Sequence, residues 1–380
     1  MDVPTENLRC WAEIDLSALR HNASVARRLA GPGAGVMAIV KANAYGHGLR
    51  GVVQALRDLV AMYGVANVHE AQAVRDALGP DTAGAPGIFI LGTALPGERP
   101  EIVDGGFVPA ISTLREAAAY SALGHGKVVP VHVAIDTGMG RMGIAEENAL
   151  EVIREIASMP GLVIAGVATH LPVADEDEGY TGEQLGRFEG LVTGIRGLGI
   201  DAPFVHSLNS AGIFRFPTHA GALIRAGLML YGSSPLPDYQ AELRPALTLK
   251  TRITLIRELP AGHGVSYGRT FVTERPMRVA TLAIGYADGF HRTLSNRGAD
   301  VLIHGLRCPL LGRVTMDQIM VDVSAVNDAV IGDEAILIGS AGSHEIPAAE
   351  LAAKSGTIPW EIFTSIGTRV ERLYKNDTSI

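Results

Sequence analysis

The sequence predicts an α/β chain: an N-terminal (β/α)8 TIM-like barrel followed by a C-terminal mainly-β domain. Three observations predict it. Through the first two thirds, short continuous apolar runs alternate with segments of helical spacing, as in parallel strands covered on both faces by helices. These runs number roughly eight, which suits a closed barrel. Near residue 233 the apolar spacing changes to period two with glycine turns, the pattern of an all-β module.

In order, VMAIV at 36–40 is a strand, followed by GHGLRGVVQALRDL at helical spacing. AMYGVAN at 61–67 leads into the helix HEAQAVRDAL, and GIFIL at 87–91 is the next strand. FVPAIS at 107–112 precedes the helix TLREAAAYSAL, and VPVHVAID at 129–136 precedes AEENALEVIREIA. VIAGVATH at 163–170 has EQLGRFEGLVTGIRGL as its helix, and FVHSLNS at 204–210 and ALIRAGLMLYG at 222–232 complete the series. SSPLPDY and RPAL form a proline-rich linker, after which LTLKTRITLIREL, MRVATLAIGYA, VLIHGLRCPLLG and IMVDVS alternate. PAAELAAKSG and GTRVERLYK read as closing helices. The expected division is a barrel over 12–240 and a mainly-β domain over 241–380. The opening RCWAEIDLSAL also alternates, and whether a strand at 8–14 joins the β domain stays open at this level.

The 380 residues, 47% hydrophobic and 19% charged, are ample for a buried core and exclude a disordered chain. A formal net charge of −8 argues against nucleic acid as a partner, since phosphate binding needs a basic surface. No long uncharged apolar stretch predicts a membrane span, and MDVPTENLRC is no secretory signal. Two distant cysteines, Cys10 and Cys308, form no disulfide framework, so a cytoplasmic location is expected. GPGAG at 31–35 precedes a strand instead of following one, so it reads as a turn and not a nucleotide loop. No histidine–carboxylate cluster has metal-ligand spacing, and His219, His291, His304 and His344 read as isolated.

In a (β/α)8 barrel the chemistry sits where strands end. Lys41 and Tyr45 follow the first strand, Asp136 and Arg141 a middle one, His170 the next. His206, Asn209 and Ser210 come after that, and Arg225 and Gly227 last. A lysine at a barrel mouth near Arg141 and Arg225 is desolvated and repelled, which favours the neutral amine that attacks a carbonyl. The alternative is a structural lysine that snorkels to solvent. Ser210 and Gly227 lie where barrels often build phosphate sites, although such residues are also ordinary turn formers. A Schiff-base lysine combined with a phosphate site points to pyridoxal phosphate.

Across essentially its whole length the chain resembles the alanine racemases, fold-type III enzymes that use pyridoxal 5′-phosphate. The ordered motifs AEIDLSALRHN, VKANAYGHG, DTGMGRMG, ATHLPVADE, HSLNSAG, RAGLMLYG, PALTLKTRI, GVSYGRTF, AIGYADGF, GRVTMDQIMVDVS and IPWEI carry the resemblance. It implies that Lys41 forms the Schiff base with the cofactor. Tyr45, Asn209, Ser210, Gly227, Leu228 and Trp360 would hold the cofactor, mainly its phosphate. Arg225 would face the pyridine nitrogen with His170 beside it, and Tyr267 would act across a homodimer interface on the partner's cofactor. Arg141, Met316 and Asp317 would bind the substrate carboxylate or its loop, with Tyr286 at the mouth and Arg292, Arg313, Asp175 and His206 along an access corridor.

The reaction so implied is interconversion of L- and D-alanine for cell-wall synthesis. Lys41 would move the Cα proton on one face and Tyr267 on the other, aided by a Tyr267–His170–Arg225 chain. An arginine at the pyridine nitrogen weakens the electron sink, which favours racemisation over decarboxylation. Two positions depart from the family pattern. Ala134 stands where many members have a carbamylated lysine that orients the arginine, leaving a bound anion such as chloride to take its place. Trp360 replaces a tyrosine, and an indole donates a hydrogen bond but accepts none. Both touch substrate binding, so serine or a broader range of amino acids is the alternative substrate reading. A fold-type III decarboxylase of basic amino acids is opposed by Arg225 and Tyr267. A cofactor-binding module without turnover is opposed by the β domain.

Overall fold

The computed structural model describes residues 7–80 and 84–376. The strands in chain order are β1 (Cys10–Asp15), β2 (Gly35–Ile39), β3 (Met62–Val65), β4 (Gly87–Ile90), β5 (Val108–Ile111), β6 (Val129–Asp136), β7 (Ile144–Ala145), β8 (Leu162–Ala168), β9 (Phe204–His206) and β10 (Leu223–Ala226). They continue with β11 (Leu247–Leu259), β12 (Gly264–Val265), β13 (Phe271–Val272), β14 (Met277–Leu282), β15 (Asp300–Ile303), β16 (Leu306–Pro309), β17 (Ile319–Asp322), β18 (Glu334–Ala341), β19 (His344–Ile346) and β20 (Glu371–Lys375). The chain divides into two compact units, one of Leu19–Ala44 and Leu49–Arg244, the other of residues 1–18, Tyr45–Gly48 and Pro245–Ile380.

The first unit is the expected barrel. Its strands lie in the order β10-β2-β3-β4-β5-β6-β8-β9, all parallel, with the two-residue β7 beside β6. The Arg225 N–H donates to the Leu208 carbonyl at 2.9 Å, which brings the end strand β10 against the segment leaving β9 and nearly closes the ring. Every residue of β3 and β10 is buried, as parallel strands with both faces covered require. Helices start immediately beyond several strands because side chains cap them there. Asn67, Thr113 and Asn209, each within three residues of a strand's end, accept from a backbone N–H three residues on. The same residues therefore end a strand, begin a helix and build the barrel rim.

The second unit is the mainly-β domain. Its main sheet runs β16-β15-β18-β11-β1-β20, with β14 and β17 continuing from β11 and β19 paired to β18. β1 pairs antiparallel with β11 and parallel with β20, so the opening strand is an interior strand of this sheet. Here the structure corrects the sequence reading: ERLYK is β20, not a helix. A segment this short gains little from helix formation, and parallel pairing to β1 satisfies its backbone instead. PAAELAAKSG does form a helix, Ala348–Ser355. β18 and β19 went unrecognised, because EAILIGSA is a continuous apolar run ending in small residues and shows no alternation.

MRVATLAIGYA is a strand only to Leu282. The following AIGYADG turns back. Gly285 N–H donates to Asp288 Oδ2 at 2.9 Å, Tyr286 N–H to the Thr315 carbonyl at 3.0 Å and Ala287 N–H to the Met316 carbonyl at 3.0 Å. A Cβ on Gly285 would collide with the Thr315 and Met316 carbonyl oxygens. Gly285→Ala is therefore expected to destabilise this unit by about 1–3 kcal/mol through overpacking. Thermal unfolding checks it, and an unchanged midpoint would show that the two loops separate freely. Among the described residues no helix is long and apolar enough to cross a membrane.

Candidate active site

Lys41 lies just beyond β2, two residues past its last buried positions. From Ala42 the backbone enters the left-handed region, with φ of 52° at Ala42, 54° at Asn43, 52° at Ala44 and 51° at Tyr45. Four consecutive L-residues in this conformation are strained. The turn is held by Ala44 N–H to the Val40 carbonyl at 2.8 Å, and by Leu49 N–H to Asn43 Oδ1 at 2.8 Å. Lys41 so departs sharply from the strand and stays largely out of water. Burial, followed by the charge of Arg141, pulls its ammonium below the usual lysine range, while Glu70 opposes them. The sequence reading named burial and Arg141 correctly, but Glu70 and not Arg225 is the other charge acting on Lys41.

Arg225, on β10, is fully buried and makes five contacts through its two Nη atoms. Nη1 reaches the His206 carbonyl at 2.9 Å and His206 Nδ1 at 2.6 Å. Nη2 reaches the carbonyls of Thr169 and Ser207, both at 2.7 Å, and His170 Nδ1 at 3.2 Å. Among the described residues its Nε–H takes no acceptor. Burial and Arg141 pull the guanidinium down to about 10, so it stays a cation at neutral pH.

This arginine fixes the protons around it. A guanidinium only donates, so His206 Nδ1 and His170 Nδ1 both accept, and each imidazole carries its proton on Nε2. His206 Nε2 lies 2.9 Å from His132 Nδ1, so it donates there and His132 too is protonated on Nε2. Burial first, then the charge of Arg225, lowers all three, His132 and His170 to about 3 and His206 well below its usual value. The three rings are neutral at physiological pH. His206 is thus no corridor residue: it is buried in the barrel and orients Arg225. It was misplaced because a histidine at a strand's last position gives no sign of which way it faces. His132 was passed over within VPVHVAID, where a polar residue inside an apolar run was the available signal.

At the end of β9, Asn209 caps the helix Ser210–Arg215 by accepting from Gly212 N–H at 3.0 Å. Ser210 Oγ accepts from Gly227 N–H at 3.1 Å and Met229 N–H at 3.3 Å. Leu228 opens a short 3-10 turn through Tyr231, so a buried hydroxyl and the start of a helical turn converge in one place. Such convergent donors suit an anion. On β6, Asp136 Oδ1 accepts from the N–H groups of Gly138, Met139 and Gly140 and shapes the loop that carries Arg141. Arg141 makes no ion pair among the described residues, consistent with alanine at position 134. Its charge acts on Lys41, His170 and Arg225 together, which sets these four groups around one barrel mouth.

The remaining candidates belong to the other unit. Tyr267 is 72% exposed. It sits between Ser266 at φ 63° and Gly268 at φ 74°, while Ser266 Oγ donates to the Arg313 carbonyl at 2.6 Å. A serine in that conformation is strained, and the tyrosine beside it stands largely in solvent. Met316 is 53% and Tyr286 42% exposed, on the two loops joined at Gly285. Asp317 Oδ1 pairs with Arg369 at 2.9 Å. Trp360 lies in the helix Pro359–Thr364 and is partly buried. Tyr45 is buried, which pushes its phenol up to about 12, so it serves as a neutral hydroxyl.

Family models for the alanine racemase N-terminal domain and C-terminal domain match residues 14–235 and 246–374. The chain belongs to the alanine racemase family. The alanine racemase of Halothermothrix orenii is 40% identical over 372 residues, covering 96% of this chain and 97% of that protein. The solved alanine racemase of Clostridium difficile superposes with a TM-score of 0.89 at 32% identity, covering 99% of this chain and 97% of that one. That of Bacillus anthracis with bound L-Ala-P gives 0.88 at 33% identity over 97% and 95%. Membership of the alanine racemases makes this chain an enzyme and an isomerase, and the barrel mouth is the part of the fold with the perturbed lysine and the buried arginine.

Proposed function

We propose that this protein is a pyridoxal 5′-phosphate-dependent racemase that interconverts L- and D-alanine and supplies D-alanine for cell-wall synthesis. The observation that carries the reading is the mouth itself, where one guanidinium, Arg141, bears on Lys41, His170 and Arg225 at once. The residues present fit the cofactor. Lys41 is a desolvated amine for its aldehyde, Arg225 keeps one N–H for its ring nitrogen, and Ser210, oriented by Gly227 N–H, and Leu228 offer donors to its phosphate. Asn209, Tyr45 and Trp360 complete its surroundings in this reading. When bound, the cofactor acidifies the Cα–H of an amino acid joined to it.

Lys41 takes or returns that proton on one face, because burial and Arg141 have made its amine available as a base. Tyr267 Oη does so on the other face, reaching from a second copy of the chain in a homodimer. Its exposure and the strained backbone beside it support that role. His170, neutral and with its proton on Nε2, relays charge from Arg225. Arg141 and the Met316–Asp317 loop hold the substrate carboxylate, with Tyr286 beside them. Arg225, a fixed donor, would face the cofactor's ring nitrogen and leave it unprotonated, which would favour proton transfer over loss of carbon dioxide.

Tyr267→Phe tests the two-base account. Racemisation is expected to fall about 10²–10⁴-fold, the usual worth of a general acid–base. It falls equally in both directions, because enantiomers have equal free energy. Exchange of the Cα proton with deuterated solvent should persist for one enantiomer, the one whose proton faces Lys41, and be lost for the other. Symmetric exchange would remove Tyr267 from the mechanism. A panel of L-amino acids in the same assay separates alanine from serine as the preferred substrate.

A further inference from the structure

Two helices that follow barrel strands open with the same cap. At Val68–Leu78, Asn67 accepts from Glu70 N–H at 3.0 Å, and Glu70 Oε2 accepts from Ala66 N–H at 2.8 Å. At Leu114–Leu123, Thr113 accepts from Glu116 N–H at 3.2 Å, and Glu116 Oε2 accepts from Ser112 N–H at 2.8 Å. A reciprocal cap of this kind occupies one carboxylate oxygen. Glu70 uses its second oxygen elsewhere. Oε1 accepts from Ala42 N–H at 2.7 Å, 28 residues away in sequence. Ala42 follows Lys41 and is the first residue of the left-handed turn.

We propose that Glu70 is a positioning residue for Lys41: its carboxylate clamps the left-handed turn to the loop after β3 and supplies the counter-charge to Arg141. The inference rests on reading Lys41 as the cofactor lysine. A base that must both take and return a proton works best when its pKa lies near the operating pH. Burial and Arg141 both push the Lys41 ammonium down, and Glu70 pulls the other way. Among the described residues His170 is a further titratable group in electrostatic reach of Lys41, and burial and Arg225 keep it neutral. Glu70 therefore limits how far the lysine is depressed, through the same carboxylate that fixes its backbone. An Asn-x-x-Glu pair directly after an apolar run was the sequence signal for the cap. Only the fold shows that one oxygen is diverted to Lys41.

The test uses the full chain stripped of cofactor, with pyridoxal 5′-phosphate added as the probe. The initial rate of visible-absorbance growth is followed against pH. In wild type the rate rises as Lys41 loses its proton. In Glu70→Gln the midpoint is expected to move down by roughly 0.5–1 pH unit, because a negative charge near an amine has been removed. Glu116→Gln, which removes the carboxylate of the matching cap, is expected to leave the midpoint in place. A Glu70→Gln profile that overlays wild type, or an equal shift in Glu116→Gln, overturns the proposal. Lys41→Ala run alongside separates the two readings. Absorbance that survives in it defeats Lys41 as the cofactor lysine, whereas absorbance lost in it with an unmoved Glu70→Gln midpoint defeats only the role of Glu70. Should Glu70→Gln not fold, hydrogen exchange in the wild-type chain decides. The Ala42 amide, on an exposed residue, is expected to be protected, and exchange at the free rate overturns the clamp.

Discussion

Lys41→Ala is expected to abolish the visible absorbance that pyridoxal 5′-phosphate gives with the wild-type chain and to reduce racemisation by at least about 10³-fold. Two functions proposed for Lys41 would be lost together, the amine that joins the cofactor and the base on one face of the substrate. The variant should fold, because Lys41 makes no hydrogen bond or ion pair among the described residues. The turn after it is fixed through the backbone of Ala42 and Ala44 and the side chain of Asn43. Absorption spectra with added cofactor and a chiral assay of alanine check it. Undiminished absorbance would show that another lysine carries the cofactor, and the assignment of β2 as the catalytic strand would fall with it.

The second large effect concerns stability as much as chemistry. Arg225→Leu strands the buried carbonyls of Thr169 and Ser207 and two imidazole nitrogens, and leaves the His206 carbonyl only the Thr169 N–H at 3.3 Å. Breaking a buried charge network in this way typically costs about 3–5 kcal/mol. Arg225→Lys should not restore it, since an ammonium has three donors on a flexible stem in place of a planar fork. Urea unfolding at pH 8 measures the loss, and a change below about 1 kcal/mol would mean that water replaces the network.

The same variant changes the response to acid. In the wild type His132, His170 and His206 have folded values depressed below the unfolded histidine value, so the unfolded chain binds more protons as pH falls. Their contribution is fully present above about pH 6.5 and is lost as pH drops through that range toward 3. Removing Arg225 removes one cause of the depression, second to burial. The stability gap between wild type and Arg225→Leu is thus expected to narrow below pH 6.5.

What was legible beforehand follows from local chemistry. Lys41, Arg141, His170, Asn209, Ser210 and Arg225 each stand where an apolar run ends, and a parallel barrel puts strand ends on one rim. The period of two likewise announced most of the second unit. The errors arose where partners are remote in sequence. ERLYK became a strand because β1, more than 350 residues earlier, pairs with it in register. His206 turned out to be an internal prop because Arg225, on the strand where the ring nearly closes, reaches it. Glu70 drew no notice in the sequence, because its bond to the Ala42 N–H joins residues 28 apart.

By itself the sequence determined the order of the barrel elements, most of the β domain, the strand ends that carry polar residues and the family resemblance, because periodicity and motif order are properties of neighbouring residues. Only the tertiary structure decided protonation and charge at the site. Those depend on burial and on hydrogen bonds made through space: Arg225 sets three imidazoles as neutral Nε2–H forms, and Arg141 and Glu70 pull Lys41 in opposite directions. No pattern in the chain records these distances, and they are what lowers the ammonium of a lysine at the end of a strand.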